Sequence, residues 1–156
     1  MKRNGVEAQA RHRPDRQERG ETVPVAGEVY PRVPAGEYEA ICYDVRKGRS
    51  WGGREDIYIR FRLRDGKYDG TELFMVCTFP TKRKLTPRFK YYQQWTIAVG
   101  RKPDRRERMV FGVFKKRLFR ILVRDVEKNS SGHPLPDVLK YSVVAKIIEP
   151  MTGGWP

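Results

Sequence analysis

The sequence predicts a mostly β domain: five strands in a Greek-key barrel, one helix between the third and fourth strands, and an irregular N-terminal tail. Three observations carry that expectation. Apolar and polar residues alternate over several short runs, the period switches to that of a helix in a single stretch, and Gly-, Asp- and Asn-rich turn signals separate the runs. The chain has 156 residues, the length of one domain with its tails.

Residues 1–33 are rich in Arg, Glu, Gln, Gly and Pro and show neither helical stripe nor strand alternation, so they read as a tail, flexible or extended against the domain. The domain is expected over 34–148, with 149–156 as a C-terminal tail. Gly36 to Val45 is the first strand, followed by the loop Arg46 to Glu55. Asp56 to Arg64 is the clearest strand, with Ile57, Ile59, Phe61 and Leu63 on one face and Tyr58, Arg60, Arg62 and Arg64 on the other. Asp65-Gly66 and Asp69-Gly70 mark turns. The third strand, Thr71 to Phe79, turns Leu73, Met75, Cys77 and Phe79 inward and Phe74, Val76 and Thr78 outward.

The helix is bracketed by Thr86 as N-cap, Pro87 at the first helical position and Gly100 at the C-terminal cap. Its expected face is Phe89, Tyr92, Thr96 and Val99, with Trp95 at the margin. Leu118 to Val126 is the fourth strand, with Phe119, Ile121 and Val123 on one face. Asn129 to Asp137 is turn material, and Tyr141 to Ile148 is the fifth strand. Three strands, one helix and two strands is the element order of the OB-fold.

Charge narrows the function. Lys and Arg number 33 and Asp and Glu 19, a net +14. Residues 81–124 hold fifteen basic residues and two acidic ones, a net +13, so nearly all the excess lies in one stretch. Such density repels itself in the folded state and points to a polyanionic partner. No run reaches the roughly 18 apolar residues of a membrane helix, and the N-terminus has no apolar signal-peptide core, so a soluble cytoplasmic protein is expected. Cys42 and Cys77 lie in apolar runs and are expected to be buried, reduced thiols. His12 and His133 are far from both, so no zinc spacing can be built, and no cofactor is implied.

Pro34-Ala35-Gly36-Glu37-Tyr38-Glu39-Ala40, the alternating Asp56 to Leu63, and Gly66-Lys67-Tyr68-Asp69-Gly70-Thr71-Glu72-Leu73 together form a pattern. It resembles a family of phage and mobile-element proteins regarded as single-stranded-DNA-binding-like, with an OB-type core. The likeness spans about residues 34–100 and implies fold more than function. Bacterial single-strand-binding proteins end in an acidic, apolar-tipped tail that recruits repair enzymes. The last residues here run Glu149-Pro150-Met151-Thr152-Gly153-Gly154-Trp155-Pro156, so that recruiting role is not carried over.

Single-strand binding needs cations for phosphates and exposed rings for bases. Tyr58 beside Arg60 and Arg62 offers both, with Phe74 and Tyr43 as cross-strand neighbours; core packing is the alternative for each of the three rings. The loop places Lys47, Arg49, Trp51 and Arg54 among glycines, a cationic display of an indole. After the helix, Arg105, Arg106, Arg108, Lys115, Lys116, Arg117, Arg120 and Arg124 are candidates for phosphate contacts. No catalytic motif is present, so the chain is not expected to be an enzyme. The leading expectation is sequence-tolerant binding of single-stranded DNA, or RNA, in replication, recombination or transfer of a phage or mobile element. The alternative is an adaptor subunit of a larger nucleoprotein complex, weak in binding on its own. A remote third is a metal-dependent nuclease using Asp44, Glu55, Asp56, Asp65 and Glu72, against which stands their pairing with neighbouring arginines.

Overall fold

The computed structural model describes residues 30–48, 52–81, 84–104 and 109–151. Five antiparallel strands form one sheet: β1 (Gly36–Lys47), β2 (Arg54–Leu63), β3 (Glu72–Pro80), β4 (Leu118–Val126) and β5 (Tyr141–Pro150). One helix, α1 (Lys90–Val99), lies between β3 and β4 in the chain. The strand order is β3-β2-β1-β4-β5, in which β4 returns beside β1 in the manner of a Greek key.

Alternation explains the core. Ile57, Ile59, Phe61 and Leu63 of β2, Leu73, Met75 and Cys77 of β3, and Phe119, Ile121 and Val123 of β4 are all buried in one cluster. The Phe79 side chain, expected inward, lies outside the described residues. β5 is less regular because its pairing with β4 shifts twice, between Arg120 and Ile121 and between Leu122 and Val123. The shifts leave Ala145 and Ile148 as extra residues, while Ser142, Val143 and Val144 before them pair in regular register and are all buried. Cys42 and Cys77 are buried free thiols, as expected. Among the described residues, no helix is long and apolar enough to cross a membrane.

The helix departs from expectation at its start and its face. Thr86 to Phe89 form a turn, closed by the Phe89 amide on the Thr86 carbonyl at 3.0 Å, so Lys90 is the first helical residue and Phe89 the N-cap. The buried face is Tyr91, Gln94, Trp95 and Ala98 rather than Phe89, Tyr92, Thr96 and Val99. With Phe89 outside the helix, the observed stripe is the one with two large aromatics. Gly100 does terminate α1: at φ 85° its amide reaches the Thr96 carbonyl at 2.8 Å.

The sheet's two edges, β3 and β5, approach each other across the core. They run parallel, since four antiparallel steps separate them. No ladder joins them among the described residues, and the β5 edge is satisfied by other means. α1 packs against both strands, and Gln94 Oε1 accepts the buried Ile147 amide at 2.6 Å. Nearer the start of β5, the Ser142 amide donates to the Pro31 carbonyl at 3.0 Å. The Ser142 hydroxyl accepts the Val33 amide at 2.8 Å and donates to the Val33 carbonyl at 3.0 Å. Residues 30–33 thus lie extended against the domain, with Val33 in the core, and only 1–29 fall outside the described part of the expected tail. At the other end β5 runs on to Pro150, and the Met151 amide donates to the Leu118 carbonyl at 2.9 Å, so the domain reaches past the boundary expected at 149.

Replacing Gln94 by Ala leaves the Ile147 amide without its acceptor. Urea denaturation of that variant is expected to show a loss of about 1–3 kcal/mol with an unchanged denaturant slope. Burial pushes both thiols up to about 12, so neither is appreciably ionised at pH 8. An aromatic disulfide reagent at that pH is expected to label both cysteines only as fast as the protein opens.

Candidate nucleic-acid interface

With the inward positions of β1, β2 and β3 apolar, the alternate positions form one outer face, and the registers set its rows. Phe74 stands opposite Arg60, and Arg60 opposite Asp44. One step along the strands Glu72 faces Arg62, and in the other direction Val76 faces Tyr58 and Tyr58 faces Arg46. The register shift between Cys42 and Asp44 makes Tyr43 an extra residue, a β-bulge that re-aims its side chain.

Tyr43 joins a small polar cluster. The Arg62 guanidinium lies over its ring, 4.8 Å from the centroid, while its hydroxyl donates to Glu72 at 3.2 Å. Arg62 also donates to Glu72, at 2.8 Å. That hydrogen bond holds the Glu72 carboxyl below the ordinary glutamate range. Burial, then the Glu72 charge, raises the Tyr43 hydroxyl; burial, then the Asp56 charge, raises that of Tyr58. Gly48 permits a close approach at the end of β1: a Cβ there would come within 2.5 Å of the Tyr58 ring.

Tyr43, Tyr58 and Phe74 are half-buried on this face and outside the core cluster. Two rings that the sequence reading passed over extend them into a row. Tyr58 and Phe74 lie 5.8 Å apart between centroids, Phe74 and Tyr30 5.3 Å, and Tyr30 and Tyr141 5.0 Å in a stacked pair. Tyr30 sits in what reads as tail, where a single aromatic among valines and prolines gives no periodic signal, and Tyr141 reads only as a strand start. Arg32 helps hold the segment, pairing with Asp125 at 3.4 Å and Asp137 at 3.3 Å. Two clefts flank Tyr30 and share Arg60 and Phe74 with it. One, of about 260 Å³, also has Tyr43 and Glu72 in its wall; the other, of about 320 Å³, has Tyr58, Arg46 and Lys47.

The remaining cations fall into distinct places. Arg46 pairs with Asp44, and Lys47 with Glu55 at 3.1 Å, both at the rim. Arg54 is exposed at the start of β2, opposite Pro80. Lys115 and Lys116 are exposed on the turn before β4, which meets β1 through the Lys116 amide on the Cys42 carbonyl at 2.7 Å, next to the bulge at Tyr43. Arg120 and Arg124 lie on β4, with β1 between them and β2. Arg124 is exposed, whereas Arg120 pairs with Glu149 at 3.3 Å and faces Glu39 across the ladder. Arg117, expected at a phosphate, serves the fold instead: it donates to the Ala98 and Val113 carbonyls at 2.8 and 2.9 Å, at the end of α1. Arg49, Trp51, Arg105, Arg106 and Arg108 lie outside the described residues.

Four of the five candidate metal-binding carboxylates are engaged separately, and the fifth, Asp65, stands apart on the turn after β2. Asp44 pairs with Arg46, Glu55 with Lys47 and Glu72 with Arg62, while Asp56 accepts the Thr78 hydroxyl at 2.6 Å. Among the described residues no three His, Cys, Asp or Glu side chains gather as a metal site. In comparisons with known proteins, no family model and no curated protein matches the chain.

The Glu72 contacts carry a pH dependence. A carboxyl held low in the folded protein adds stability at neutral pH that fades as the pH falls through its folded pKa. Because the pair is exposed the effect on stability is small, and carbon-detected NMR titration is the sensitive measurement. Glu72 is expected to titrate below the ordinary glutamate range, and Arg62→Ala to move its midpoint upward.

Proposed function

We propose that this protein binds single-stranded DNA with little dependence on sequence, through the outer face of β2 and β3. The observation that carries the reading is the row Tyr58–Phe74–Tyr30–Tyr141 running beside Arg60 and the Arg46 and Lys47 rim. Every base has a π-face, so rings of this kind hold any sequence, while cations follow the phosphates. Bases in a duplex are already stacked on one another and cannot use the rings without being unpaired.

The strand order supports an OB-type barrel, with β3 and β5 as its closing pair and α1 lodged at their gap. In that fold the face of strands two and three binds the ligand, flanked by the loops after strands one and four. Here those loops are residues 48–53 and 127–140, and Tyr141 begins where the second one ends. Lys115 and Lys116 beside Tyr43 extend the cationic path. The setting in phage or mobile-element replication, recombination or transfer rests on the family resemblance, and the reading assigns the chain no catalytic step. One observation favours the adaptor reading as a second: Val138 and Leu139, 89% and 59% exposed on the turn before β5, present apolar surface suited to a protein partner.

Fluorescence anisotropy with labelled single-stranded DNA, duplex and RNA of equal length, at two salt concentrations, tests the proposal. Single strands are expected to bind more tightly than duplex, with log affinity falling by roughly 0.7 per phosphate contact per unit of log salt. Tyr58→Ala and Phe74→Ala are each expected to weaken binding by roughly fivefold to a hundredfold with an unchanged melting temperature. Equal or stronger binding to duplex defeats the stacking account. Weak binding that tightens only with a co-purified partner supports the adaptor.

A further inference from the structure

The two clefts beside Tyr30 are alike in their rings and opposite in their polar walls. Both have Arg60 and Phe74 in common, yet Lys47 and Arg46 stand on the Tyr58 side and Glu72 on the Tyr43 side. A phosphate suits the first wall. It suits the second less, where the Glu72 carboxylate, held by Arg62, stands in the wall with the shared Arg60. A strand crossing this face therefore runs its backbone past Arg46 and Lys47 and turns a base into the Tyr43 cleft.

The chemistry of that cleft is specific. A carboxylate offers about four acceptor positions, and Glu72 has Arg62 on Oε1 and the Tyr43 hydroxyl on Oε2, so each oxygen keeps acceptor capacity. These two donors also fix the carboxylate's orientation. An ionised carboxylate accepts and cannot donate. It favours bases that present an exocyclic amino group, as in the pairing of Glu with cytosine N4. Thymine presents carbonyl oxygens where those bases present amino hydrogens, and a carboxylate repels them.

Building on the proposed single-strand binding, we infer that Glu72 makes the Tyr43 cleft a base-reading subsite that prefers amino-bearing bases, cytosine and adenine among them, to thymine. The preference is superimposed on otherwise tolerant binding, since one position in the groove reads the base edge and the rest stack. Tyr30 walls this subsite off from the cationic one.

The test compares dC15, dA15 and dT15 by anisotropy at pH 7.5, using the full chain and its Glu72→Gln variant. Glutamine keeps the shape of the side chain and supplies both an acceptor and a donor, so it loses the discrimination without closing the cleft. The wild-type protein is expected to bind dC15 and dA15 about five- to tenfold more tightly than dT15, at the lower end of the discrimination one base contact provides. Glu72→Gln is expected to bring the three within about twofold while holding or raising affinity for dT15. Equal binding of all three by the wild type, or a preference that survives in Glu72→Gln, overturns the inference and leaves single-strand binding standing. Failure to bind any of the three overturns both. Arg62→Ala provides a second check: it frees the carboxylate to move, and the cytosine preference should shrink though the charge remains.

Discussion

Among the described residues, the outer edge of β5 has no neighbouring strand to take up its backbone groups, and α1 and residues 31–33 are placed where they satisfy them. A buried amide left without an acceptor costs about 1–3 kcal/mol, roughly twice what a made hydrogen bond contributes net, so the edge must be covered. Gln94 covers it at Ile147 and the Pro31–Val33 backbone covers it at Ser142. The first of these sets which side of α1 faces the core. The second pulls residues 30–33 onto the domain.

That second consequence links the core to the surface. Once Pro31 and Val33 are tied to Ser142, Tyr30 is delivered between Phe74 on β3 and Tyr141 on β5. A row of rings then spans from β2 to β5 across strands that share no ladder. The bulge at Tyr43 does related work on β1, turning one more ring toward Arg62 and Glu72. Backbone irregularities and edge coverage, more than regular strand pairing, compose the candidate interface.

The distribution of charge is broader than its position in the sequence implies. Among the described residues, the basic stretch following β3 is spread over α1, the turn before β4 and β4 itself, and does not line the aromatic face as one strip. Lys115 and Lys116 come beside Tyr43 because their turn hydrogen-bonds at the β1 bulge, while Arg117 is drawn inward to the carbonyls at the end of α1. Arg120 is paired with Glu149 and stands opposite Glu39 in the ladder. A count of cations raises the expectation of a polyanionic partner, and the fold selects which of those cations stand near the aromatic face.

How much was legible follows from how local each signal is. The faces of β2, β3 and β4 were readable because a two-residue period needs only neighbouring residues, and the turns and the Gly100 cap depend on backbone preferences within a few positions. The start of α1 and its buried side were not, because two aromatic stripes compete on one short helix and the choice between them rests on a partner in β5, 53 residues away. Tyr30 was invisible for the same reason, its docking being decided by Ser142, more than a hundred residues later. The sequence alone thus determined the strands, their inward faces, the burial of both cysteines and the cationic character of the chain, all set by local periodicity and composition. Only the tertiary structure decided which rings meet, which arginines are spoken for and where the acidic wall of Glu72 stands, because those depend on strand order and on how an unpaired edge finds its hydrogen bonds.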